Sequence, residues 1–134
     1  MSAFFIDSNI ILYLLSADAA KADRVESILG KRGIISAQVL NEVTSVCSRK
    51  LKMSWEEIDT VLLAVKSACD VVPLTVGSHE KAVEIARRYQ LSFYDAHICA
   101  SATLAGATVM LSEDMQNGLE IEGMRISNPF ISAK

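Results

Sequence analysis

Four acids carry the chemical signal of this chain: Asp7, Glu42, Asp95 and Asp114. Asp7 closes the apolar run Ala3-Phe4-Phe5-Ile6 and is followed by Ser8-Asn9. Asp114 follows Ala107-Thr108-Val109-Met110-Leu111-Ser112-Glu113, which again ends an apolar run in a small hydroxyl residue and acids. Four carboxylates sharing one cleft repel each other, and some take up protons unless a cation joins them. A hard divalent ion with oxygen ligands answers that repulsion. Mg²⁺ or Mn²⁺ suits the set better than zinc, because no His or Cys joins it. Such a site suits phosphodiester hydrolysis by an activated water and needs no nucleophilic side chain. Taken singly, each acid also has a structural use: Asp7 and Asp95 as helix caps, Asp114 at a turn, Glu42 reaching to water.

The elements that must position these acids follow from periodicity. The run at 3–6 suits a strand buried on both faces, and an acid at its carboxyl end stands where open α/β sheets place their sites. Ser8 or Asn9 caps a helix through Leu15, and a second helix runs from Asp18 to Gly30. Residues 33–36 form strand two. A helix over 37–51 buries Val39, Leu40, Val43, Val46 and Cys47, with Glu42 at the edge of that face. Ser54 and Glu57 form a capping box for a helix reaching Ala68. Strand three spans 70–74. A helix opens at Gly77-Ser78 and ends near Tyr89. The next, over 94–104, is apolar almost all round, as in a central helix packed on two sides. It carries Asp95 on the face of Ile98, Cys99 and Ala102, and His97 packed or hydrogen-bonded elsewhere. Strand four spans 107–112, and 123–130 holds a possible edge strand ended by Pro129. Strands alternating with helix pairs predict an α/β fold, a parallel sheet with helices on both faces, in one domain over 1–134. If strands one and four are neighbours, Asp7 and Asp114 meet at one sheet edge. The helices then bring Glu42 and Asp95 to it, with Asp7 expected between Asp114 and Asp95.

Composition narrows the partners. The chain has 134 residues and a formal net charge of −3, which argues against a broad basic surface holding nucleic acid by charge alone. Local basic groups remain: Arg49, Lys50, Lys52 and Arg87 are candidate contacts for a phosphate backbone. Cys47, Cys69 and Cys99 are widely spaced and read as buried free thiols of a reducing compartment. Asp7, Ser8 and Asn9 interrupt the apolar start, so neither a signal peptide nor a spanning helix fits, and a cytoplasmic location is expected.

The segments Phe5-Ile6-Asp7-Ser8-Asn9, Ser36-Ala37-Gln38-Val39-Leu40-Asn41-Glu42, Phe93-Tyr94-Asp95-Ala96 and Leu111-Ser112-Glu113-Asp114-Met115-Gln116 resemble, in order and spacing, the PIN-domain family and specifically its VapC-type toxins. Asn128-Pro129-Phe130 resembles the family's ending. The resemblance implies a Rossmann-like sheet of order 3-2-1-4-5 and Mg²⁺-dependent endoribonuclease activity. It implies metal binding by Asp7, Glu42, Asp95 and Asp114, with Ser8, Asn9 and Ser112 orienting a water, an acid or the RNA backbone. Asn117 stands where some relatives carry a further acid. A homodimer and an inhibitory antitoxin are the implied partners, with no membrane.

An aspartate-based phosphotransferase wants a second Asp two residues after the first, where this chain has Asn9, and a receiver domain's paired early acids and late Lys are missing. A catalytically weak PIN-like module for RNA binding or assembly would suit a chain lacking an acid, whereas all four are present.

Overall fold

The computed structural model describes residues 3–131. Their order is β1 (Phe4–Ile6), α1 (Ser8–Leu12), a 3₁₀ turn (Tyr13–Leu15), α2 (Ala19–Leu29), β2 (Ile34–Ser36), α3 (Ala37–Arg49), α4 (Trp55–Ala68), β3 (Asp70–Val72), α5 (Val76–Tyr89), α6 (Phe93–Leu104), β4 (Val109–Leu111), β5 (Glu120–Ile121) and β6 (Met124–Ser127).

Side-chain oxygens start most of the helices by accepting orphan backbone N–H groups. Asp18 caps α2, Ser36 caps α3 and Ser92 caps α6. Ser54 and Glu57 form the expected capping box on α4, and Thr75 with Ser78 forms a second on α5. The first helix differs from expectation. Its cap is Asp7, not Ser8 or Asn9, and after Leu12 it tightens into the 3₁₀ turn.

The sheet has the order β3-β2-β1-β4-β6-β5, parallel except for the β5–β6 pair. The expected 3-2-1-4 core is there, and the strand beside β4 is the one expected from the tail. It is not the edge, because Glu120–Ile121 folds back onto it as a hairpin and becomes the sixth strand. Glu122 (φ 50°) and Gly123 (φ 86°) fill the two-residue turn, which needs positive φ at both positions.

The chain places β1, β2 and β3 successively to one side, then crosses back to lay β4 against the other side of β1. The order reverses between β1 and β4, so a crevice opens past their carboxyl ends. Phe5 pairs with Ile34 and with Met110, and Met110 pairs with Ile126, giving an apolar row through the sheet centre. Phe5, Met110 and Ile126 are fully buried. Residues 96–102 of α6 are all buried, as an all-round apolar helix requires. All three cysteines are buried and free, and burial pushes the thiols of Cys69 up to about 11 and Cys99 up to about 12. Gly33 enters β2 against β1, where an added Cβ would lie 2.6 Å from Phe4 Cε2 and 2.8 Å from Ile6 Cδ1. Among the described residues, no helix is long and apolar enough to cross a membrane.

Candidate active site

Asp7 and Ser112 occupy the first positions beyond β1 and β4, and the ladder continues through them. The Asp7 N–H donates to the Leu111 carbonyl (3.0 Å), and the Ser112 N–H to the Ser127 carbonyl (3.0 Å). Both are buried, Asp7 at 4% exposure and Ser112 at 0%. Asp7 Oδ1 accepts from the Ser8 N–H (2.7 Å). Oδ2 accepts from Ser112 Oγ (2.9 Å) and Asn9 Nδ2 (3.0 Å). The Asn9 carbonyl oxygen in turn accepts the Glu113 N–H (3.0 Å). Asn9 therefore ties the start of α1 to the segment carrying Asp114.

Ser8 carries the network to α3. Its hydroxyl donates to Glu42 Oε1 (2.6 Å), and Gln38 Nε2 donates to Glu42 Oε2 (3.1 Å). Gln38 was a positioning group legible from its i, i+4 spacing to Glu42 but given no role by sequence reasoning. Asp95 lies in the first turn of α6, two residues inside the helix beyond Phe93, and its N–H is received by Ser92 Oγ (3.3 Å). Ser92, not Asp95, is thus the cap.

The electrostatics show which acids share a field. Burial is the main force raising the Asp7 carboxyl from 3.8 to about 6; hydrogen bonds from Ser112 and Ser8 hold it down, while the charges of Glu42 and Asp95 add to the rise. Asp95 is also raised, first by partial burial and then by Glu42 and Asp114. The charges of Glu42 and Asp95 thus act on Asp7, and those of Glu42 and Asp114 act on Asp95. No Lys or Arg contributes to either acid. As the side chains stand, no three His, Cys, Asp or Glu residues among those described are gathered closely enough to hold a metal ion. The donors nevertheless suit a hard cation: all are carboxylate oxygens, and the most buried of them has no cationic partner.

Asp114 is exposed, one residue beyond a tightly held neighbour. Glu113 Oε1 accepts from the Tyr13 hydroxyl (2.5 Å), and Oε2 pairs with Lys21 Nζ (3.1 Å). The Lys21 ammonium sits over the rings of Tyr13 (4.5 Å) and Phe130 (4.9 Å), whose own centroids are 5.0 Å apart. The Tyr13 hydrogen bond, aided by Lys21, holds the Glu113 carboxyl below its usual value. Glu113 thus turns from the acids toward α2, and this clamp was not legible in the sequence. Asn9, Asp114 and Glu113 also line a groove of about 340 Å³ whose other walls include Leu12, Val46 and Leu51.

The remaining candidates lie farther out. Asn117 Oδ1 accepts the Asn128 N–H (2.8 Å), so its carbonyl braces the chain after β6. Arg49, Lys50, Lys52 and Arg87 are exposed, and none is in a salt bridge among the described residues. Arg49, Lys50 and Lys52 cluster at the end of α3. Arg87 lies in the last turn of α5, which a three-residue connection joins to the turn bearing Asp95. His97 is buried with Nε2 2.9 Å from Ser78 Oγ, a hydrogen-bonded core histidine as expected.

Fold and site together define a doubly wound α/β domain with an acidic crevice at its switch point. The PIN domain family model matches residues 4–116, and the chain belongs to that family. A comparison with curated protein sequences gives no match. Among solved structures, a toxin–antitoxin complex from Klebsiella pneumoniae is similar at 21% identity and TM-score 0.73, covering 96% of this chain and 98% of that one. A VapBC complex from Rickettsia felis, bound to a DNA fragment from its promoter, is similar at 17% identity and TM-score 0.71, covering 94% and 98%. A sarcin–ricin-loop-cleaving VapC toxin from Mycobacterium tuberculosis is similar at 19% identity and TM-score 0.64, covering 84% and 90%. At these identities the likeness is one of fold.

Proposed function

We propose that this chain is a Mg²⁺-dependent endoribonuclease, the toxin of a toxin–antitoxin pair, which hydrolyses RNA phosphodiester bonds with an activated water. The observation that carries the reading is the set of acids at the β1/β4 switch point. Burial, with the charges of Glu42 and Asp95, raises the proton affinity of Asp7; burial, with those of Glu42 and Asp114, raises that of Asp95; and no Lys or Arg relieves either acid. Family membership and the toxin neighbours support the same reading.

Asp7, Glu42, Asp95 and Asp114 would hold the ion, with Mn²⁺ able to substitute. When bound, the ion supplies charge for the scissile phosphate and acidity for the attacking water. The chain's own groups do the positioning. Ser8, Asn9 and Ser112 fix the Asp7 carboxylate through hydrogen bonds to both its oxygens. Ser8 and Gln38 do the same for Glu42. Asp95 and Asp114 are the less encumbered acids. A carboxylate oxygen of Asp95 not given to the ion would serve to receive the water's proton. Arg49, Lys50, Lys52 and Arg87 would steady the RNA backbone, and Asn117 would act indirectly, through its hold on Asn128.

The implied partners are RNA, a cognate antitoxin and a second copy of the chain. The buried free thiols support work in the reducing cytoplasm. One observation favours a second reading, a catalytically weak PIN-like RNA-binding or assembly module: the acids are not gathered into a three-ligand cluster.

One assay separates the two. Purified protein is incubated with structured RNA in Mg²⁺, in EDTA, and as the Asp95→Asn variant in Mg²⁺. Cleavage by the parent in Mg²⁺ alone is expected, with Asp95→Asn slower by ~100-fold or more. RNA binding without cleavage in all three arms would favour the module, and equal cleavage in all three would expose a contaminant.

A further inference from the structure

A second groove, also of about 340 Å³, is walled in part by Glu42. Gln38, Asn41, Glu42 and Ser45 line it from α3, and Tyr94 lines it from the first turn of α6. The four α3 positions follow i, i+3, i+4 and i+7, so they form one continuous polar stripe. Tyr94 precedes Asp95, and its side chain is 65% exposed, supported edge-on by Phe93 at 5.9 Å. One wall of the groove is thus a site acid, and the opposite end is an open aromatic ring whose chain neighbour is another.

The lining selects its occupant. No Lys or Arg borders the groove, so it does not suit a phosphate. It offers an aromatic face together with amide and hydroxyl groups that can both donate and accept. That combination fits a flat, neutral ligand with a polar edge. Unpaired nucleobases are recognised in this way, by stacking on an aromatic side chain and hydrogen bonding along an edge. The Gln38 amide nitrogen is already given to Glu42, which leaves Asn41 and Ser45 as the edge readers. The groove on the Asp114 side is walled largely by Leu12, Leu15, Val46 and Leu51; its Asn9 amide is taken up by Asp7 and Glu113, and its Tyr13 hydroxyl and ring by Glu113, Lys21 and Phe130.

We propose that the Gln38/Asn41/Ser45/Tyr94 groove is a nucleobase subsite that holds one unpaired base flanking the scissile phosphate, stacked on Tyr94 and read by Asn41 and Ser45. The inference rests on the ribonuclease reading above. It makes the enzyme selective for single-stranded or looped RNA, with a base preference at one position beside the cut.

The test uses a randomised single-stranded RNA pool cleaved in Mg²⁺ by the parent, Tyr94→Phe, Tyr94→Ala and Asn41→Ala, with the cut ends sequenced and KM measured on one preferred site. The parent should show a base preference at a flanking position. Tyr94→Phe keeps it, since the stacking face survives. Tyr94→Ala raises KM roughly tenfold and flattens that position, and Asn41→Ala changes which base is preferred there. Mn²⁺ affinity, followed by electron paramagnetic resonance, stays at the parent value in all three variants. A parent that cleaves while its profile and KM are unmoved by Tyr94→Ala and Asn41→Ala overturns the subsite alone. A fall in kcat with an unchanged profile makes Tyr94 a support for Asp95 and also overturns it. A parent that cuts nothing removes the ribonuclease reading and the subsite with it.

Discussion

In EDTA at pH 8, Asp7→Asn should unfold at a temperature roughly 5 °C above the parent, although in Mg²⁺ it should lose ~1,000-fold or more of the proposed ribonuclease activity. The Asp7 carboxyl is buried and raised from 3.8 to about 6. Its folded state therefore holds a proton more tightly than its unfolded state. The associated stability is fully present below pH 3.8 and is lost as pH rises through about 6. At ~1.4 kcal/mol per pH unit, the ionised carboxylate costs the fold about 3 kcal/mol relative to the protonated one. Asparagine carries no charge to bury. It gives back about 1 kcal/mol, because its amide would meet the Asn9 Nδ2 donor where a carboxylate oxygen now accepts. The advantage of the variant should shrink by roughly two-thirds at pH 5, where most of the parent's folded-state Asp7 is protonated. Millimolar Mg²⁺ should stabilise the parent and leave Asp7→Asn unmoved, since only a ligand bound to the folded state raises its stability. Thermal melts at pH 5 and pH 8, each with Mg²⁺ and with EDTA, check all of this. A variant that melts below the parent at pH 8 in EDTA would show that Asp7's hydrogen bonds outweigh the burial of its charge.

Gly33→Ala should destabilise the protein by roughly 2–3 kcal/mol, the upper part of the range for overpacking a filled core. The backbone there is not in the left-handed region, so the cost comes from space alone. The new methyl would overlap the Phe4 ring and the end of Ile6, at 2.6 and 2.8 Å. Ile6 is fully buried and immediately precedes Asp7, so the overlap is relieved by moving the strand that aims the Asp7 carboxylate. Activity should fall along with stability. Phe4 is only partly buried, and Phe4→Leu removes the nearest atom at modest cost. In a double-mutant cycle the two changes should couple favourably by about 1 kcal/mol or more. Additive losses in urea melts would mean that the strands separate without strain and that Gly33 is replaceable.

The fold was legible wherever burial is two-sided or a cap is unambiguous. Phe4-Phe5-Ile6 and Val109-Met110-Leu111 declare themselves as buried strands because nothing polar interrupts them. Ser54 and Glu57 declare a helix start by their reciprocal bonds. Glu120–Ile121 could not be read, since two residues carry no alternation and only the positive φ angles of Glu122 and Gly123 reveal the hairpin. The cap of α1 could not be read either, because Asp7, Ser8 and Asn9 are all good caps and only packing selects among them. Of the site, the acids were legible as residue types at strand ends and on helices, and the charges of Glu42 and Asp95 act on Asp7 while those of Glu42 and Asp114 act on Asp95. Their relative placement was not, because it depends on how far each side chain reaches from α3 and α6. The pairing of Lys21 with Glu113 joins residues 92 apart, and no local pattern announces a contact of that range.

That last contact bears on the freedom of the segment joining β4 to β5. A backbone residue confined to one conformation loses about 1–2 kcal/mol of entropy at room temperature, and a free loop would surrender it at the moment its acid is recruited. Here Glu113 is anchored at its N–H by Asn9 and at its carboxylate by Tyr13 and Lys21, so the residue before Asp114 is already immobile in the folded chain. Folding bears that ordering cost in advance. In the proposed role of Asp114 as a ligand of the ion, what would remain on binding is little more than the rotation of one short side chain, and the affinity of the site would be spared the ordering of a loop.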